Sequence, residues 1–401
     1  MLSLLFLGLI TSIYDDDINN TNDLYLNKEE RFHSLAKLTI DLVYDIYGTK
    51  EINDGDNDFE FIKDPKYSNG NIIEKIVAED DIPKVIIYDF NGNENISKVR
   101  IVAIRGTNTL REWESNLNPI EKDGYDLGIN ISGRFHQGFA NASLKVWNKI
   151  KNNIVNCKYP IVFTGHSRGG SISEILHVIA KKNDPKQQIY CIAFAPSPGM
   201  ILEKHENYLT NDLYGFINEN DPIPRLTIKN FLDMRWPFPF APKIRTYFRV
   251  QDKVSYVFGG CFRLLFKIQK IRALLSKLLS SISLLIEDSR INYPKKAFVS
   301  KIDYFMYLCI ECSLNPEKCS LSELVGKLYR LKWINYNGAF SFNKQRGCLV
   351  DSLFNLKINN AEKRKIANIK SPQEIFNNIK KHRNIFYKRA LHGEVCPEPS
   401  D

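Results

Sequence analysis

An α/β fold with a largely parallel central sheet is the architecture this sequence predicts, and three observations carry it. Apolar, β-branched segments alternate with segments of helical periodicity between about residues 84 and 217, the pattern of strand–helix–strand units. The run Ile161-Val162-Phe163-Thr164 stops on Gly165-His166-Ser167-Arg168-Gly169-Gly170, and 171–180 then reads as an amphipathic helix. A Gly-x-Ser-x-Gly between a buried strand and a helix makes a sharp turn that lifts its serine out of the sheet, with the helix N-terminus aimed at it. Finally, 401 residues with 43% hydrophobic and 25% charged content describe an ordinary globular chain. One domain of about 250–300 residues carrying an insertion fits that length better than three small domains.

The elements follow in order. Residues 2–13 form an apolar run closed by Asp15-Asp16-Asp17, too short to span a bilayer but the length of a signal-peptide core or an N-terminal anchor. A buried first helix is the other reading. Phe32, Leu35, Leu38, Leu42 and Ile46 recur at helical spacing and predict a helix over 27–47. Strands are expected at 84–90 and 98–104 around the turn signal Asn91-Gly92-Asn93, then a helix at 141–154 and strands at 188–194 and 213–217. Beyond residue 227 the alternation stops at Trp236-Pro237-Phe238-Pro239-Phe240-Ala241-Pro242. The expected organisation is therefore 1–13 as targeting segment or anchor and 14–226 as the first part of the core. A basic, cysteine-containing, mainly helical insertion covers 227–371, and 372–401 returns to the core.

The net charge of +9 is uneven: residues 229–296 hold fourteen Lys/Arg against four Asp/Glu, so the remainder is near neutral. Within 261–286, Arg263, Lys267, Lys270 and Lys277 share one face of a helical wheel, and Phe262, Leu265, Phe266, Leu275, Leu278, Leu279, Ile282 and Leu285 cover much of the rest, with Arg272 interrupting the apolar face. Such a helix either lies in an anionic membrane surface or buries its apolar face in the insertion. These charges alternate with aliphatics rather than exposed aromatics, which argues against nucleic acid as a partner. Cys157 and Cys191 read as small buried residues. Cys261, Cys309, Cys312, Cys319, Cys348 and Cys396 fit a disulfide set in a secreted protein, with a zinc site at Cys309-x-x-Cys312…Cys319 as the alternative. Sequons at Asn19, Asn95, Asn130 and Asn141 are compatible with secretion.

A serine nucleophile needs a base, and the base needs an orienting carboxylate. Downstream of Ser167, the strand at 213–217 runs into Asn218-Glu219-Asn220-Asp221-Pro222. Asp221 thus stands where the acid of a Ser–Asp–His chain order belongs; its alternative role is to cap the turn before two prolines. Of seven histidines, only His382 and His392 follow Asp221. His392 stands in a polar tail, whereas His382 opens a final apolar segment and is the favoured base. The oxyanion of an acyl-transfer intermediate needs two amides, one from Arg168 and one from the end of an earlier strand, where Arg105-Gly106-Thr107 supplies Thr107. Gly165 and Gly169 are the elbow glycines. None of this chemistry requires a metal or an organic cofactor.

At these residues the chain resembles the class 3 (fungal-type) lipases. Ile104-Arg105-Gly106-Thr107 with Trp113 and Asn116-Leu117 is similar to that family's oxyanion-hole and lid-start signature, and His136-Gln137-Gly138-Phe139 to its His-x-Gly-Phe block. The elbow, Asp221 before Ile223-Pro224-Arg225, and His382 with Tyr387 five residues on follow in the family's order. The stretch Cys191-Ile192-Ala193-Phe194-Ala195-Pro196-Ser197-Pro198-Gly199 looks most like the diacylglycerol-lipase branch. The resemblance covers roughly 80–226 and 375–390. It implies an α/β-hydrolase fold, a Ser167–Asp221–His382 triad, a lipid ester substrate, and a secreted or membrane-associated hydrolase. Phospholipase A1, a short-ester hydrolase and a hydrolase-fold binding protein without turnover are the rival readings. Arg168 stands where the family has Leu: it either places a cation beside the acyl site for an anionic lipid or points to solvent. The 160 residues between Asp221 and His382 exceed the spacing of the compact fungal enzymes.

Overall fold

Fully buried strands form the centre of the molecule. The computed structural model describes residues 22–47, 64–79, 81–107, 116, 120–218, 221–225, 227–233, 320–321 and 324–331, together with His382, Tyr387, Lys388, Leu391 and His392. In chain order the elements are helix α1 (Asn22–Asp45), then strands β1 (Gly70–Ile76), β2 (Val85–Phe90) and β3 (Val99–Ile104). Short strands β4 (Glu121–Asp123) and β5 (Gly133–His136) lead into α2 (Gln137–Val155). Next come β6 (Ile161–His166), α3 (Arg168–Asn183), β7 (Ile189–Phe194), β8 (Met200–Leu202) and β9 (Leu213–Asn218). A short α4 (Ile228–Asp233) and β10 (Lys327–Leu331) complete the set.

The main sheet has the order β1-β2-β3-β6-β7-β9-β10, and β4, β5 and β8 form a separate small antiparallel sheet. Pairing is antiparallel between β1, β2 and β3 and parallel from β3 onward. The sheet is thus mainly parallel, as the sequence predicts. Period-2 alternation divides the strand side chains between two cores. Val85, Ile87, Val102, Ile104, Phe163 and Ala193 face the α2 side, with Phe139, Val146 and Ile150. Ile86, Tyr88, Ile101, Ala103, Val162 and Phe194 face the α1 side, with Ala36, Ile40 and Val43.

Three expectations are corrected here. The segment 171–180 is not amphipathic in place: α3 is buried from Arg168 through Ala180. Two of its serines bond backbone carbonyls, Ser173 Oγ donating to that of Gly169 at 2.7 Å and Ser171 Oγ to that of Ser197 at 2.9 Å. The helix expected at 141–154 begins earlier, because His136 caps it by accepting the Phe139 N–H at 3.3 Å. Finally, the stretch 227–371 is not uniformly separate from the sheet, since Lys327–Leu331 pairs in parallel with Tyr214–Asn218. Strands β1, β4, β5 and β8 gave no clean alternation in the sequence; Glu121-Lys122-Asp123 is entirely charged. Cys157 and Cys191 are buried free thiols. The run 2–13, the basic pattern at 261–286 and the six remaining cysteines lie outside the described residues. Among the described residues, no helix is long and apolar enough to cross a membrane.

Between β2 and β3 the registered pair Asp89 and Arg100 is buried. Arg100 Nε donates to Asp89 Oδ1 at 2.6 Å and a terminal guanidinium nitrogen donates to Oδ2 at 2.7 Å, while the Tyr159 hydroxyl donates to the same Oδ2. Removing one member of such a pair strands the other charge in low dielectric. Arg100→Met is therefore expected to lower unfolding free energy by about 3–5 kcal/mol, read as a shift of the urea midpoint at unchanged slope.

Candidate active site

The elbow follows from backbone proximity. Ser167 takes φ 58° and ψ −126°, a region that costs about 1–3 kcal/mol for a non-glycine residue and persists only where the surroundings impose it. Neither Gly165 nor Gly169 has positive φ; their need is steric. A Cβ on Gly165 would lie 2.4 Å from the Gly169 carbonyl, and one on Gly169 would lie 2.4 Å from the Ile104 carbonyl oxygen. Helix α3 thus rests directly on the backbone at the ends of β6 and β3. Ser167 is its N-cap residue, yet its side chain makes no cap bond, so the hydroxyl is left for another partner.

That partner is His382. Its Nε2 lies 2.8 Å from Ser167 Oγ and its Nδ1 lies 2.8 Å from Asp221 Oδ2. Asp221 is fully buried just beyond β9. Its Oδ1 accepts the Ile223 N–H at 2.9 Å, and its Oδ2 also accepts the Tyr387 hydroxyl at 2.6 Å. The Tyr387 oxygen in turn accepts the Asn218 N–H at 3.0 Å, tying the acid's loop to the end of its strand. Asp221 therefore does cap its turn, as the alternative reading held, and it orients His382 as well. Burial, then the adjacent Asp221 carboxylate, hold the Tyr387 phenol well above its ordinary pKa, so Tyr387 remains a donor.

Ile104 and Gly165 are register partners in the parallel β3–β6 pair, which brings the segment leaving β3 beside the elbow. Thr107 follows Ile104 by three residues, and its Oγ1 accepts from Asn116 Nδ2 at 2.7 Å. The α3 N-terminus supplies the Arg168 amide on the same side. Parallel strand ends place loop amides together at this edge.

Arg168 fulfils neither reading of its charge. Its side chain is 1% exposed, and its guanidinium donates to the Asp81 carbonyl at 2.6 Å. It turns away from solvent and braces the turn before β2. His392 is not a free tail residue either: its Nε2 lies 3.1 Å from Asp41 Oδ1 on α1. The sequence reading missed His166 and Tyr47. His166 Nε2 bonds the His382 carbonyl at 2.7 Å, and its Nδ1 lies 3.3 Å from the Tyr47 hydroxyl. A histidine inside the elbow was visible in the sequence, but its spacer position carried no signal.

Residues 101–231 match the model of the family described as Lipase (class 3). Mouse diacylglycerol lipase-beta is 26% identical over 163 residues, covering 39% of this chain and 23% of that protein. Secreted mono- and diacylglycerol lipase 1 of Fusarium solani is 27% identical over 155 residues, covering 36% of this chain and 44% of that one. The chain thus spans less than half the length of these relatives. The solved triacylglyceride lipase of Rhizomucor miehei aligns at 14% identity and a TM-score of 0.35, over 51% of this chain and 76% of its own.

Two measurements follow from the site's polar contacts. Tyr387→Phe removes the hydroxyl that accepts the Asn218 N–H and donates to Asp221 Oδ2, leaving that oxygen with His382 alone, and is expected to cost about 1–3 kcal/mol in denaturant unfolding. Burial lowers the pKa of both His136 and His177 from 6.5 to about 4. The unfolded chain therefore binds more protons than the folded one between these values, and stability must fall as pH falls. The folded state keeps its full stability above about pH 6.5. It loses about 1.4 kcal/mol per pH unit for each such histidine down to about pH 4. Melting temperatures recorded from pH 7 to pH 4 check the slope.

Proposed function

We propose, from a chain whose residues 101–231 match the class 3 lipase family, that this protein is a serine-dependent lipid ester hydrolase acting on acyl- or diacylglycerol-type substrates. The observation that carries the reading is the unbroken chain Ser167 Oγ–His382–Asp221, with 2.8 Å at each link, mounted on a strand–turn–helix elbow. Ser167 Oγ attacks the ester carbonyl while His382 Nε2 takes its proton. Asp221 holds the imidazole Nδ1–H and stabilises the imidazolium that forms. The amides of Thr107 and Arg168 receive the oxyanion, aided by the positive end of α3. His382 then returns the proton to the leaving alkoxide, and a water activated by the same base releases the fatty acid.

The finer assignments rest on composition and on the relatives. Diacylglycerol and monoacylglycerol esters are the favoured substrates because two of the curated relatives are named for them, while a third, a phospholipase A1 of Arabidopsis thaliana, keeps phospholipid as the alternative. The basic amphipathic pattern over 261–286 supports docking on an anionic membrane surface. With the apolar run at 2–13, it also supports a secretory or membrane-associated location. Arg168 lends no support to an anionic headgroup, since its guanidinium is committed to Asp81. The division into a core of 14–226 and 372–401 with an insertion is retained, with Lys327–Leu331 assigned to the sheet.

Wild-type protein is expected to hydrolyse emulsified diacylglycerol and to be labelled by a fluorophosphonate, with Ser167→Ala and His382→Ala losing both. For the hydrolysis, the loss is about 10³-fold or more in kcat. Activity confined to short soluble esters, with none on diacylglycerol or phospholipid, would overturn the lipid assignment.

A further inference from the structure

The base is held at its side chain by Asp221, but a side chain is only as fixed as the backbone that carries it. His382 has such a backbone restraint. The His166 ring is 4% exposed and packs against the His382 ring at a centroid distance of 4.7 Å. Its Nε2 lies 2.7 Å from the His382 carbonyl oxygen. A carbonyl can only accept, so His166 Nε2 carries the proton. In a neutral imidazole Nδ1 is then an acceptor, and the Tyr47 hydroxyl, 3.3 Å away, is its donor. Tyr47 lies just beyond the end of α1, and its hydroxyl is packed so closely on Gly106 that a Cβ there would lie 2.0 Å from it. One phenol thus touches the residue preceding Thr107 and orients the ring that holds His382.

On the function proposed above, we infer that His166 is a positioning residue for the base, set in its tautomer by Tyr47, so that residues preceding the class 3 match belong to the catalytic machinery. The role demands a neutral ring. His382 becomes an imidazolium during each acylation, and a second cation 4.7 Å away would oppose it. Burial, followed by the neighbouring His382, keeps His166 well below its ordinary pKa. The same restraint explains how a base 215 residues from its nucleophile in sequence is held at bonding distance. The covalent connection imposes nothing over that span, so non-covalent contacts to the backbone must.

The test separates positioning from general stability. His166→Leu removes the donor, His166→Gln retains an N–H that can reach the His382 carbonyl, and Tyr47→Phe removes only the tautomer-setting hydroxyl. Each is purified as the full chain and assayed on diacylglycerol and on a short ester, with melting temperature and fluorophosphonate labelling rate recorded. The expected result is a fall in kcat of about tenfold or more for Leu at nearly unchanged KM, since small misplacements of reacting groups act on the chemical step. Gln should recover most of that loss, with the labelling rate tracking kcat. Tyr47→Phe should reduce kcat about two- to fivefold at unchanged melting temperature. Folded His166→Leu with native kcat, or Gln as impaired as Leu, would overturn the proposal. Should Leu fail to fold, native kcat in Tyr47→Phe has the same effect. A wild-type chain that neither turns over nor labels would instead sink the functional reading itself.

Discussion

The site depends on one constraint: helix α3 must begin in direct contact with the backbone of β3 and β6. Gly165 and Gly169 meet that constraint by lacking the atom that would collide with Gly169 and Ile104. Once the helix start is pressed onto the strand ends, Ser167 has no ordinary backbone conformation left and takes positive φ. The strain is held by burial on all sides, since α3 is enclosed along most of its length. From the same contact come the hydroxyl turned toward His382, the Arg168 amide beside it and the dipole behind it. The remaining residues of the site are arranged around a point that close packing has already fixed.

Asp221 and His382 reach that point from different directions. Asp221 is delivered by β9, three residues past the strand's end, and its carboxylate receives bonds from Ile223, His382 and Tyr387. His382 comes from a distant segment and is attached to the core through several polar contacts to α1. His33 bonds the Leu391 carbonyl at 3.1 Å, and Asp41 meets both Lys388 and His392 at 3.1 Å. The N-terminal helix is therefore the dock for the segment that carries the base. Without it, the apolar contact of Tyr387 and Leu391 with the α1-side core would have fewer polar anchors to set its register.

Much of this was legible in the sequence, for physical reasons. Buried parallel strands need runs such as Ile161–Thr164 and Val99–Ile104, and the elbow needs its glycines at fixed offsets, so position and identity coincide. Asp221 was found because it follows a strand. Arg168 was misread because a charge in a spacer position suggests a surface role, and nothing local foretells that Asp81 will stand within reach. His166 and Tyr47 were invisible for a related cause: a bond to a carbonyl 216 residues away leaves no periodic or compositional trace. The small β4–β5–β8 sheet escaped because strands of three or four residues are set by tertiary pairing rather than by pattern. Strand β10 escaped because its surroundings broke the alternation.

The pairing of β9 with β10 has a consequence for how the molecule comes to be. Strand β9 ends at Asn218, and its neighbour begins only at Lys327. Closing a long loop is entropically slow, so contacts of this span form late. The elbow, by contrast, is assembled from elements nearby in sequence. The nucleophile's turn can therefore be complete while the acid's strand still has an open edge and the base is not yet docked. A partly folded chain of that kind carries a serine without its proton acceptor until the distant segment settles against α1.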